Sequence, residues 1–242
     1  MEELVPQETR QPQQRVLSAE EATQIQARFM TQVYGWMAGA LAITGGVALL
    51  VGASPELQDM IFGNRLVFWA MLLAEFLVVG YLSRNIFEMS GGQAVGAFVA
   101  YSVLNGLTLG LIFLVYTADS IASTFFVTAA TFGAMSLYGY TTSTDLSRWG
   151  NLLFMALIGL VIAMVVNVFW LNSMLYLITS FIGVLLFTAL SAYDTQKVKS
   201  LAFVGFEEEG ADRKAAMLGA LTLYLDFINL FLFLLRLFGR RR

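Results

Sequence analysis

Residues 219–239 read GALTLYLDFINLFLFLLRLFG. A helix needs about 20 predominantly apolar residues to cross a bilayer, and this run is long enough. It nevertheless carries Asp226 and Asn229 in its interior and Arg236 near its end. An ionised carboxylate in such a helix is costly, and it persists where it pairs, faces a cavity or carries a proton or cation. A second aspartate, Asp194, lies upstream in FTALSAYDTQ (187–196), another strongly apolar stretch. The two acids predict a membrane bundle that buries an acidic pair, and they place the function there.

Runs of similar length and polarity occur near 31–53, 66–83, 94–116, 121–140, 151–171, 174–193 and 216–238. They predict an all-α membrane protein, a seven-transmembrane helix bundle with mostly short connections. Residues 1–30 read as a cytosolic N-terminal tail with a short helix, and residues 31–242 as the transmembrane domain. The runs lack period-two alternation, which argues against a β-barrel. With 58% hydrophobic and 13% charged residues, the chain is too apolar for an ordinary soluble domain. A net charge of only −3 argues against a nucleic-acid partner. The absence of cysteine excludes disulfides, thiolate metal sites and a cysteine nucleophile. The absence of histidine removes the usual pH switch and the commonest metal ligand. Titration near neutrality therefore falls to carboxylates or lysines. No cofactor is expected, and no metal site is identified.

The first residues lack the apolar core of a secretory signal, so they read as a cytosolic tail. Ser18 followed by glutamates predicts a capped helix leading into the first span. Small residues four apart, at Gly35–Gly39 and Gly106–Gly110, predict close helix contacts. Trp36, Trp69, Trp149 and Trp170 fall near predicted helix ends, where an amphipathic ring suits the headgroup level. Lysines and arginines set the orientation. The tail and the gaps after the second, fourth and sixth spans hold Arg10, Arg15, Arg28, Arg84, Arg148, Lys197, Lys199, Arg213 and Lys214, whereas the opposite gaps hold only Arg65. This imbalance predicts a cytosolic N-terminus. Seven spans then leave Arg240, Arg241 and Arg242 outside, against the usual preference of basic segments. Either the last run fully spans and upstream topology prevails, or it is re-entrant or buried in the bundle. Its length favours a full span.

With the N-terminus in the cytosol, Asp194 lies near the cytosolic end of the sixth helix and Asp226 about ten residues into the seventh. The two meet in the cytosolic half if the sixth helix continues past Tyr193. Carboxylates in contact cannot both stay ionised cheaply, so they titrate as one unit. The competing reading is a capping or snorkelling Asp194 and a structurally hydrogen-bonded Asp226. Arg84 ends the second span on the same side and is either a counter-charge for the pair or an ordinary interfacial anchor. Glu75 lies in the middle of LVFWAMLLAEFLVVGYL and should face the bundle interior. Asn105, Asn167 and Asn229 complete a candidate pore or polar network, which interhelical hydrogen bonding explains equally well. Lys197, Lys199 and the Glu207–Glu208–Glu209 run read as a solvated loop.

The 219–239 segment closely resembles the signature of the Bax inhibitor-1 family, also called the transmembrane Bax inhibitor motif family. AYDTQ at 192–196 resembles its sixth-helix motif, Asp145 in TTSTDLSRWG its loop after the fourth helix, and Asn167 its fifth-helix asparagine. GAMSLYGYTT and the arginine-rich end resemble the bacterial branch. The resemblance covers nearly everything after residue 30. It implies a last helix wrapped by the other six, and a bacterial inner-membrane location. It also implies a pH-sensitive cation leak, with calcium as the permeant ion, governed by an aspartate latch. Carried onto this chain, the latch is Asp194 with Asp226, Arg84 is the competing arginine, and Glu75 the second-helix glutamate.

Three functions follow for testing: a proton-gated calcium leak, a non-conducting regulator that binds a membrane protease, and an intramembrane aspartyl enzyme. The third is disfavoured, because neither LYLDFIN nor SAYDTQ has the glycine-rich context of such proteases. The expectation is that the protein is not an enzyme.

Overall fold

The computed structural model describes residues 18–206 and 211–242. Residues 1–17, with Arg10 and Arg15, and the Glu207–Glu208–Glu209 run lie outside the described residues. Helix α1 (Ala19–Ala53) opens at Ser18 with reciprocal capping: the Glu21 amide donates to the Ser18 hydroxyl, and the Ser18 amide to the Glu21 carboxylate. It continues without a break, so the entry helix and the first span are one rod. Trp36 consequently sits well inside a helix rather than at its end, where its ring meets the Arg213 guanidinium at 5.6 Å. Helix α2 (Pro55–Phe62) has no counterpart among the seven predicted runs. It is too short to span, and it starts where Pro55 loses nothing by lacking an N–H and where the Ser54 side chain caps the turn.

Five further crossings follow before the last. They are α3 (Arg65–Asn85), α4 (Gly91–Leu109) continued by α5 (Ile112–Val115), α6 (Ala118–Thr141), α7 (Gly150–Phe169) and α8 (Ser173–Ser200). The seventh is α9 (Ala211–Phe238). Short 3₁₀ turns at Leu146–Trp149 and Leu201–Phe206 lie at the start of α7 and the end of α8. All seven crossings are long and apolar enough to span a membrane. No β-strand occurs among the described residues, only an isolated bridge between Tyr116 and Arg241.

Helix α9 is the axis of the bundle. Within its apolar stretch 72% of residues are buried, against 6% in α3 and in α7. It packs against α8, α1, α6 and α4, with α3 and α7 on the outside. The outer helices present large apolar side chains such as Leu66, Phe76 and Phe169 at the surface, the arrangement a lipid solvent requires. Close contacts use glycine selectively. A Cβ on Gly106 would meet the Thr44 carbonyl at 2.7 Å, and one on Gly139 would collide with the Ala192 carbonyl. Gly35 and Gly39 face open space, so the first of the two predicted small-residue contacts does not form.

Polar contacts define two ends. At one, the Lys214 ammonium donates to the Phe87 carbonyl after α3, and the Lys199 ammonium to the Tyr140 carbonyl near the end of α6. At the other, Gly239–Arg242 pairs with the turn between α5 and α6: the Thr117 amide donates to the Arg240 carbonyl and the Arg242 amide to the Val115 carbonyl, each at 3.0 Å. Helix α9 joins these ends, so it crosses the whole bundle. A re-entrant course does not fit this path, whereas burial inside the bundle holds together with a full crossing, and Arg240–Arg242 lie opposite the lysine-bearing end.

Candidate functional site

Helix α8 does not stop at Tyr193 but runs on to Ser200, and this extension brings Asp194 against the middle of α9. Asp226 lies about 22 Å from the start of α9 at 1.5 Å per residue, deeper than the sequence suggested because α9 begins at Ala211. The two carboxyl groups face one another within hydrogen-bonding reach. Asp194 is 9% exposed and Asp226 4%. The Asp226 Oδ2 atom is buried and receives no hydrogen bond from a donor group among the described residues. Two acceptors in contact form a hydrogen bond only when one carries a proton. No lysine or arginine among the described residues makes a salt bridge to either acid; Lys197, one turn beyond Asp194, acts on it only at longer range.

The frame around Asp194 is hydroxyl-rich and tightly fixed. The Thr195 hydroxyl donates to the Ser191 carbonyl at 2.7 Å and shares its proton with the Ser136 hydroxyl of α6 at 3.2 Å. Gln196 divides its amide between the two sides of the α6–α7 loop. Its Nε2 donates to the Thr144 carbonyl at 2.9 Å, and its Oε1 accepts from the Leu146 amide at 2.8 Å. The polar end of α8 is thereby tied to the loop that carries Asp145.

A second polar region lies between α3, α4 and α9. Glu75 accepts a 2.6 Å hydrogen bond from Thr108 beside a cavity of about 460 Å³ that Tyr101, Asn105 and Asn229 also line. The structure therefore brings together Glu75, Asn105 and Asn229. The Asn105 amide donates to the Tyr101 hydroxyl at 3.3 Å, and Asn229 donates to the Leu225 carbonyl one turn back. Asn167 stands apart, accepting from the Asn172 amide where α7 turns into α8. Arg84 is exposed in the last turn of α3, at the lysine-bearing end, with no hydrogen bond or ion pair to any described residue.

Sequence reading passed over the hydroxyls that join these helices. Thr44 of α1 donates to the Ser102 carbonyl of α4 at 2.9 Å, so its 2.7 Å contact with Tyr224 must use the tyrosine proton. Tyr224 is fully buried, two residues before Asp226, and its ring meets that of Tyr101 edge-on at 5.9 Å. Threonine and tyrosine in apolar runs are too common to signal such a link; only their partners distinguish them.

Comparison with known proteins covers almost the whole bundle. A family model described as inhibitor of apoptosis-promoting Bax1 matches residues 26–242. The inner membrane protein YbhL of Escherichia coli K12 is 52% identical over 217 residues, which is 88% of this chain and 92% of that protein. A protein of Borreliella burgdorferi is 41% identical over 218 residues, covering 90% and 94% of the two chains. A membrane protein of Streptococcus pyogenes serotype M1 is 32% identical over 215 residues, covering 88% and 93%.

Proposed function

Because the chain belongs to the Bax inhibitor-1 family of membrane proteins, we propose that it is a proton-gated cation leak of the bacterial inner membrane, with calcium as the permeant ion. The observation that carries this reading is the contact between two buried acids from adjacent helices with no salt-bridged cation among the described residues. In the closed state one carboxyl holds a proton and donates it to the other, pinning α8 to α9. Removing that proton leaves two like charges. At 4 Å and an effective dielectric constant of 20 they repel by about 4 kcal/mol, enough to shift a two-state gate. Arg84 is then the counter-charge that stabilises one freed aspartate. The Glu75, Asn105 and Asn229 cavity supplies oxygen ligands farther along the path, the donor type hard cations prefer. The excess of basic residues at the Asp194 end supports a cytosolic N-terminus and a cytosolic gate.

Calcium entry into proteoliposomes, followed with a trapped indicator between pH 6 and pH 8, tests this. Wild-type flux should rise with pH as the shared proton is lost, and Asp194→Asn or Asp226→Asn should flatten the response to less than about twofold. Arg84→Gln should reduce flux at the alkaline end while leaving the acidic end unchanged. An unaltered pH response in both aspartate variants would refute the latch. No wild-type flux at any pH would refute the leak and favour a regulator that works by binding a membrane partner.

A further inference from the structure

A groove of about 450 Å³ runs along the outside of the bundle between α1, α6 and α9, and neither Asp194 nor Asp226 is among its lining residues. Leu41, Gly45, Leu49, Phe125, Phe126 and Phe231 line it, and its rim opens towards lipid, with Leu49 58% and Phe126 71% exposed. Thr44 is the one polar side chain in the lining among the described residues, and its hydroxyl is already committed to Ser102 and Tyr224. The groove therefore offers nothing to a polar ligand. Its volume falls in the range of small-molecule sites, about 300–1,000 Å³.

One end of the groove is basic. Ala118 and Ile121 line it, and the intervening Ser120 hydroxyl accepts from the Arg240 amide at 2.9 Å. The segment carrying Arg240 is extended and pinned by the Tyr116–Arg241 bridge. Side chains alternate along an extended chain. Arg241 points towards α8, where its Nη2 donates to the Tyr176 hydroxyl at 3.2 Å. Arg240 and Arg242 therefore project the other way. Both are exposed, and neither guanidinium has a partner among the described residues. A dry apolar groove thus ends beside two unengaged cations held by paired backbone.

We propose that this is a site for an anionic phospholipid, with an acyl chain in the α1–α6–α9 groove and the headgroup phosphate on Arg240 and Arg242. Charge complementarity selects the headgroup, and guanidinium forks suit phosphate oxygens. The site does not depend on the leak reading: neither the acidic pair nor Glu75 lines it, although Leu109, Ile112 and Ile228 wall both this groove and the Glu75 cavity.

Native mass spectrometry of the delipidated protein titrated with phosphatidylglycerol or phosphatidylcholine tests the assignment. Wild type should retain phosphatidylglycerol at least about tenfold more strongly, because two arginines act on its net negative charge and phosphatidylcholine carries none. Arg240→Gln with Arg242→Gln should reduce that preference to less than about twofold, and Arg240→Lys with Arg242→Lys should restore most of it. Gly45→Leu should weaken both lipids. A Cβ at Gly45 meets nothing within 4 Å, and leucine is the better helix former, so this variant fills the groove without disturbing the fold. Equal retention of the two lipids by wild type, an unchanged preference in the glutamine variant, or no effect of Gly45→Leu would each overturn the proposal. So would full competition by inorganic phosphate, which would assign the arginines to free anions and leave the groove without a role.

Discussion

Single side chains fix how polar groups survive in this bundle. Thr108 is the donor that reaches Glu75, and Thr108→Val keeps the shape while removing the proton. A half-buried carboxyl left without its partner costs about 1–3 kcal/mol. The melting temperature in detergent should fall accordingly, whereas Thr108→Ser should retain most of the stability. At the membrane surface, Asp145 accepts from both the amide and the hydroxyl of Ser147. These bonds hold its carboxyl below the usual carboxylate range. The cap therefore contributes fully above the ordinary aspartate pKa, and it is lost as pH falls through the depressed value. An NMR titration of the Asp145 carboxyl should show that low midpoint, and Ser147→Ala should move it back towards the ordinary value.

At the scale of helices, two glycine pairs with identical spacing behave differently. Gly106 presses on the Thr44 backbone of α1, while Gly35 faces open space. Spacing along a helix shows that two residues share a face, but not which neighbour that face meets. Seven crossings were legible because apolar length alone sets them, and the acidic pair because charge inside such runs is rare. The continuation of α8 to Ser200 was not legible, since Asp194, Gln196, Lys197 and Lys199 make its last turns polar. What holds those turns is tertiary, the Gln196 and Lys199 bonds to the α6–α7 loop and the end of α6. Helix α2 was missed because it is shorter than any spanning run. Gly139 provides the sharpest test at this scale. Its neighbour is a backbone carbonyl of α8 that cannot rotate away, so Gly139→Leu should destabilise by about 3 kcal/mol or more. Gly35→Ala should be neutral or stabilise by about 0.5–1 kcal/mol through helix propensity. Thermal unfolding of both variants in one detergent checks the contrast.

For the molecule as a whole, seven crossings put Ser18 and Arg242 at opposite ends. The chain contains no cysteine, so single introduced thiols report without background. In sealed right-side-out vesicles, Arg242→Cys should react with an impermeant maleimide and Ser18→Cys only after permeabilisation. Labelling of both from the same side would contradict the crossing of α9.

The helix around which everything else packs is also the one that follows the other six in the chain. During synthesis those six precede their shared axis, so Asp194 stays without its α9 partner until that helix follows. Until then the nascent chain holds a carboxyl in the bundle without its partner, which is costly. Translation that stops before α9 should therefore yield a rapidly degraded product rather than a smaller working bundle, and the insertion of this single segment sets the commitment step of assembly.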